Sequence, residues 1–291
     1  MAAWKHSTRK DLLFLGGQKM NESEQTLAVH HPFAWGNRER VRVLEIDIDK
    51  VTNQEVLRIV QGFMESKKPH QIIPLNVDCC MLARTDGEFR DIVNEASLCV
   101  ADGMPLVWAS KLLGSPLPER VNGTNLVYAL CRDGQARHYR FFLLGAEPDV
   151  CARAADVLAR DHPGIEVAGY YSPPFGPFPD EENERIVRKV REAHPDILLV
   201  AMGAPKAQKW IAAHLDACRV PVAMGIGGAL DFVAGKYKRA PAWVQEHGFE
   251  WFFRLCVDFR RLWRRYLVQD MPFIPLVILQ RLRYGASKRV S

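Results

Sequence analysis

Short apolar runs alternate along this chain with stretches in which apolar residues recur every three or four positions. The runs at 41–48, 71–77, 98–101, 139–144, 165–170, 197–202 and 220–226 predict strands, being brief and rich in Val, Ile, Leu and Phe. The stretches between them, at 53–66, 78–96, 124–131, 148–161, 180–194 and 205–217, carry the helical period. Runs apolar on both alternating faces imply strands covered on both sides. The strand-then-helix rhythm therefore predicts the α/β class: a largely parallel sheet with helices on both faces. Tyr171-Ser-Pro-Pro-Phe-Gly-Pro-Phe-Pro179 reads as a surface loop, with Asp180 placed to cap the helix that follows.

The pattern changes near residue 248. On a helix over 250–267, Phe252, Leu255, Phe259, Leu262 and Tyr266 fall on one stripe, and Arg254, Arg261 and Arg265 on another. Charge follows the same division. The chain carries +5 overall, but from Lys236 onward twelve Lys/Arg face four Asp/Glu, a surplus of eight, so the remainder is at −3. Three parts are expected: an N-terminal extension (1–40), a catalytic domain (41–247) and a basic amphipathic appendage (248–291). Arg interleaved with Trp251, Phe252, Phe253 and Trp263 suits an anionic membrane surface better than nucleic acid, although phosphates of either kind attract such clusters. A helix packed on the domain with a solvated basic face is the other reading.

Composition narrows the classes further. With 291 residues, 48% of them apolar, the chain can bury a large core. No apolar run reaches membrane-spanning length, since Met271-Pro-Phe-Ile-Pro-Leu-Val-Ile-Leu279 is short and twice interrupted by Pro. The first forty residues lack the apolar core of a secretory signal, so a cytoplasmic protein, peripheral on the inner face of the cell membrane, is expected. Seven cysteines without a C-x-x-C pair fit reduced core thiols.

Candidate chemistry collects at strand ends. Asp102 stands where the run 97–101 meets Gly103, and Arg120 follows eighteen residues later. A carboxylate at the carboxyl end of a parallel strand, with a permanent cation nearby, reads as a base with a phosphate clamp; a helix cap is the plain alternative for Asp102. Gly225-Ile-Gly-Gly-Ala-Leu-Asp231 follows a strand but does not complete a dinucleotide fingerprint, because Leu230 stands where the third Gly belongs. There Asp231 can receive a ribose or cap a helix. Lys206, in Gly203-Ala-Pro-Lys, can meet a diphosphate, and Gly145 can open backbone amides to a ligand. Asp47 and Asp49 match a D-x-D metal pattern, yet strand alternation accounts for them better. His30 and His31 have no partners at zinc spacing, and no G-x-S-x-G elbow occurs.

Several segments carry a resemblance. Asn76-Val-Asp78, Ala101-Asp-Gly-Met104, Pro118-Glu-Arg-Val-Asn-Gly-Thr124, Phe142-Leu-Leu-Gly145, Gly203-Ala-Pro-Lys206, the glycine-rich segment 225–235, Lys238-Arg-Ala-Pro241 and Arg260-Arg-Leu-Trp263 resemble the WecG/TagA/CpsF glycosyltransferases of bacterial envelope and exopolysaccharide assembly (glycosyltransferase family 26). The likeness runs from about 41 to 267. It implies a Rossmann-like glycosyltransferase fold of the GT-E type and an inverting transfer without a metal or other cofactor. A UDP-sugar would be the donor and a polyprenyl-diphosphate-linked sugar the acceptor. It also implies Asp102 as base and Arg120 near the leaving diphosphate. Asn76, Asp78, Asn122, Thr124, Gly145, Lys206, Gln208 and Asp231 would hold donor or acceptor, and Arg254, Arg261 and Arg264 would meet the diphosphate from the appendage. Self-association is left open. Two departures concern the donor: Pro74 stands where the family often has Thr, and Ala207-Gln208 where it often has Gln-Glu. Losing polar contacts alters discrimination, so glucose is the expected sugar, with N-acetylmannosamine or its uronate as the alternative. A nucleotide-cofactor oxidoreductase or epimerase would use the same strand ends, and a membrane-recruited scaffold is the non-enzymatic rival.

Overall fold

The computed structural model describes residues 38–66, 68–241, 243–244, 250–257 and 259–287. The expected N-terminal extension lies outside them except for its last three residues.

Six strands form a parallel sheet: β3 (His70–Leu75), β4 (Leu98–Ala101), β5 (Arg140–Gly145), β6 (Glu166–Tyr171), β7 (Ile197–Ala201) and β8 (Val222–Gly225). Their spatial order is β4-β3-β8-β7-β5-β6. Alternation along the strands sorts the core into layers. Ile72, Val100, Leu143, Leu199 and Met224 face one cluster with helices α1 (Asn53–Ser66), α5 (Gly123–Gly134), α6 (Pro148–Asp161) and α9 (Ala229–Val233). On the opposite face, Ile73, Leu75 and Cys99 pack under α2 (Val77–Thr85), α3 (Gly87–Glu95) and α4 (Met104–Leu112). Further along that face, Leu144, Leu198, Val200 and Ala223 pack under α7 (Asp180–Ala193) and α8 (Lys206–Cys218). The sheet is thus covered on both sides, as the apolar runs require.

Local chemistry explains the element starts. Thr52 and Glu55 form a reciprocal capping box at α1: Thr52 N donates to Glu55 Oε2 (2.7 Å) and Glu55 N to Thr52 Oγ1 (3.2 Å). Asn76 caps α2, accepting from Cys79 N at 3.0 Å, and Asn122 caps α5, accepting from Asn125 N at 3.0 Å.

Four expectations need correction. The run 41–48 is a hairpin, β1 (Arg40–Val43) antiparallel to β2 (Ile46–Asp49), because Leu44 adopts a left-handed conformation (φ 54°) and turns the chain. The stretch 78–96 is two helices, since Asp86 leaves helical geometry and its carboxylate takes Phe89 N at 3.0 Å. The periodic stretches also omit α4, whose start is marked only by the cap reading of Asp102, although Pro105 in its first turn is a helix-start signal. Finally, Pro179 rather than Asp180 precedes α7, and Asp180 is its first residue.

The C-terminal segment comprises α10 (Glu250–Val257), α11 (Phe259–Arg264), a π-helical turn over 265–269 and α12 (Phe273–Ser287). Of its expected apolar stripe, Leu255 is buried, Phe252 and Phe259 are exposed and Tyr266 is intermediate. Phe273 and Val277 of α12 enter the cluster under the hairpin, α2 and α4. Gln280 ties the same helix to the hairpin turn, donating to Arg42 O (2.9 Å) and accepting from Leu44 N (2.8 Å). No described helix is long and apolar enough to cross a membrane.

Candidate active site

Two chambers open at the carboxyl ends of β3, β4 and β8, where ligands of open α/β sheets bind. The larger, about 420 Å³, is lined by Pro74, Thr124, Gly203, Gln208, the Gly225–Gly228 turn, Asp231 and Tyr237. The smaller, about 230 Å³, is lined by Met104, Pro105, Arg120, Glu250, Asp270, Met271, Phe273 and Ile274. Five residues line both: Asn76, Asp78, Asp102, Arg265 and Tyr266. One chamber is therefore rich in backbone turns and polar groups, the other has a largely apolar surface with several charged side chains in its lining.

Asp102 occupies the shared wall because its backbone continues the sheet, with Asp102 N donating to Leu75 O at 2.7 Å. Its Oδ1 accepts from Gly123 N, the first residue of α5, at 2.8 Å. The capping role left open by sequence is thus real, but for α5 rather than the adjacent α4. It fixes the carboxylate and leaves it facing both chambers. Gly123 permits this approach, since a Cβ there would lie 3.2 Å from Pro74 Cβ and 3.9 Å from Asp102 Cγ.

Two arginines at the site are paired with acids. Arg120 Nη1 lies 3.3 Å from Glu250 Oε2, both side chains largely buried. Arg265 Nη2 lies 2.8 Å from Asp78 Oδ2. Burial raises the Asp78 carboxyl against the pull of Arg265, and burial followed by the Asp78 charge pushes Asp270 up to about 7. Arg265 enters the cleft from the π-helical turn, which changes the helical phase. Arg264, one position earlier, is exposed beside Trp263 at 5.8 Å from ring centroid to guanidinium carbon. The side chains of Arg254 and Arg261 lie outside the described residues.

Other candidates separate from this group. Asn76, Asp78, Asn122, Thr124, Gln208 and Asp231 line one or both chambers. Gln208 is 4% exposed, and its Oε1 has no partner among the described residues. Asp231 sits in the first turn of α9, 3.8 Å from Lys236 Nζ. Lys206 instead turns to the Pro-rich loop, donating to Gly176 O with its Nζ 3.5 Å from the Phe178 ring centroid; burial lowers its pKa. Gly145 lines neither chamber. Its φ of 101° and a would-be Cβ 2.5 Å from Ala201 O show that β7 demands the glycine.

Asp47 and Asp49 are engaged structurally: Asp47 pairs with Arg42 (3.1 Å), and buried Asp49 pairs with Arg38 (3.1 Å) and Arg40 (3.0 Å) and accepts from Cys99 N (2.8 Å). Six of the seven cysteines are buried, and burial drives Cys79 up to about 12, far from a reactive thiolate. Sequence reasoning missed Glu250, Asp270 and the cleft position of Tyr266, and placed Arg265 only on a stripe. One signal was available: Asp270 is the single acidic residue after Asp258.

The Glycosyl transferase WecG/TagA/CpsF family matches residues 41–287. N-acetylglucosaminyldiphosphoundecaprenol N-acetyl-beta-D-mannosaminyltransferases of Staphylococcus aureus strains NCTC 8325 / PS 47 and COL are each 31% identical to this chain over 230 residues, covering 78% of it and 89% of the relative. The same enzyme of strain MW2 matches at the same identity and coverage.

Proposed function

The chain belongs to the WecG/TagA/CpsF glycosyltransferase family, and on that premise we propose that it moves a sugar from a UDP donor to a polyprenyl-diphosphate-linked N-acetylglucosamine at an anionic membrane surface. The observation carrying this reading is the Asp102 carboxylate in the wall common to a polar and an apolar chamber. The polar chamber suits the nucleotide-sugar, with Gly225–Gly228 backbone for a phosphate or ribose and Thr124, Gln208 and Asp231 for hydroxyls. The apolar chamber suits a prenyl chain along Met271, Phe273 and Ile274, with its diphosphate towards Arg120 and Arg265.

The step is a single displacement. An acceptor hydroxyl oxygen bonds to the anomeric carbon as its proton passes to Asp102, and the bond from that carbon to UDP breaks with its electron pair leaving on the diphosphate. Attack opposite the leaving group inverts an α-linked donor to a β-glycoside. Arg265, which lines both chambers, is the cation placed to meet the charge that develops on the leaving diphosphate.

The named relatives favour N-acetylmannosamine as the transferred unit. Pro74, an apolar residue in the donor wall, supports glucose as a second reading. Membrane attachment draws support from α4 and α12, which expose Trp108, Leu112, Ile274, Ile278 and Leu282 near Lys111, Arg281 and Arg283.

Purified protein given UDP-N-acetylmannosamine or UDP-glucose and a short prenyl-diphosphate-linked N-acetylglucosamine is expected to yield one glycosylated product, identified by mass, with EDTA present. Absence of product from both donors, or dependence on added metal, would overturn the reading. Binding of a nicotinamide cofactor instead would favour the oxidoreductase class.

A further inference from the structure

The apolar chamber holds a carboxyl that the displacement does not use. Asp270 follows the π-helical turn; its N–H donates to Arg265 O (2.8 Å), and its carbonyl accepts from Phe273 N (3.0 Å) at the start of α12. Both bonds are made by its backbone. Its side-chain Oδ1 is enclosed and has no hydrogen-bond partner among the described residues, and the same holds for Arg265 Nε. An Asp serving only to cap α12 would engage that oxygen with an N–H of the first turn.

The charged and titratable groups around it are few. Asp78 on α2 pairs with Arg265 at 2.8 Å, and the Arg265 charge also acts on Asp270. Cys80, also on α2, is a buried thiol whose pKa is pushed well up, so it stays neutral. Across the chamber, Arg120 and Glu250 satisfy each other at 3.3 Å. Burial and the Asp78 charge together keep a proton on Asp270 up to about pH 7. Arg265, Met271, Phe273 and Ile274 line the same chamber as Asp270, the cationic and apolar groups that a prenyl chain joined to its diphosphate would need.

We propose that Asp270 binds the acceptor: protonated, its O–H donates to a phosphoryl oxygen beside Arg265, and once ionised it loses that bond and sets a carboxylate against the anion. This rests on the reading of the apolar chamber as the acceptor site. No atom is transferred in the catalysed step by this group; it sets acceptor affinity and leaves the donor chamber alone.

The test uses the full chain and a geranylgeranyl-diphosphate-linked N-acetylglucosamine, whose doubly esterified diphosphate has no proton to lose between about pH 6 and 9. Acceptor KM, donor KM and calorimetric acceptor binding without donor are followed over that range. Acceptor KM is expected to hold steady below pH 7 and then rise by up to about tenfold per pH unit, the limit for one linked proton. Donor KM should not show this rise. Asp270→Asn keeps an N–H donor at every pH and should flatten the profile. Asp78→Asn removes the like charge and releases Arg265, so the wild-type inflection should move to lower pH; this variant also serves if Asp270→Asn does not fold. A D270N profile matching the wild type, or a rise seen in donor KM instead, overturns the role of Asp270 alone. Failure of the acceptor to bind at any pH removes the acceptor reading and this inference together.

Discussion

At Asp102 one carboxylate both closes α5 and faces two chambers, so the choice of replacement separates the two roles. Asp102→Asn retains an oxygen for Gly123 N–H; its melting temperature should stay near wild type while turnover falls by roughly 10²–10⁴, the range for loss of a general base. Asp102→Ala also removes the acceptor and should cost about 1 kcal/mol of stability. Near-normal turnover in the Asn variant would remove Asp102 from the chemistry. Asp270 gives a second residue-scale expectation. Its folded-state pKa is raised from 3.8 to about 7 by burial and Asp78. Between those values the folded chain holds a proton that the unfolded chain has released, so stability is greatest at the acid end and declines as pH rises through the window. Urea midpoints measured across it should fall with pH in the wild type and fall less in Asp270→Asn; equal slopes would count against the enclosed carboxyl. Sequence reached Asp102 because a strand end advertises it. It did not reach Asp270, whose Asp-Met-Pro setting looks like an ordinary helix start.

Elements were legible where one burial pattern runs unbroken. β4 is buried at every position, α1 and α6 each keep a single buried stripe, and all three occupy the residues their patterns predict. Failures came where a single residue overrides the period: Leu44 turning a β-branched run back on itself, or Asp86 capping a new helix inside an apparently continuous one. Gly145 shows how a glycine at a strand end can mislead. Its open backbone suggested ligand access, whereas the structure shows β7 pressed against it. Gly145→Ala is therefore expected to destabilise the protein by on the order of 2 kcal/mol, through strain at positive φ and a clash with Ala201 O, without raising the KM of either substrate at a temperature where it stays folded. A selective rise in donor KM would restore a ligand role to this turn.

For the whole molecule, the C-terminal segment joins the core to the face proposed for membrane attachment. Phe273 and Val277 anchor α12 in the core, whereas Ile274, Ile278 and Leu282 on the neighbouring face stay exposed beside Trp108 and Leu112 of α4. Removing the segment would confuse unfolding with detachment; charging its outer face does not. Ile278→Asp with Leu282→Asp, both exposed and outside the two chambers, should abolish sedimentation with anionic liposomes, leave the melting curve in place and spare transfer to a detergent-solubilised acceptor. Retained sedimentation would locate attachment elsewhere. The order of the chain also has a bearing on synthesis. All six strands of the parallel sheet have been synthesised once Gly225 is made, but Arg265 and Asp270 lie 40 and 45 positions further on. A nascent chain can thus begin to assemble its scaffold before the wall that carries Arg265 and Asp270 is available, so the cleft is completed last.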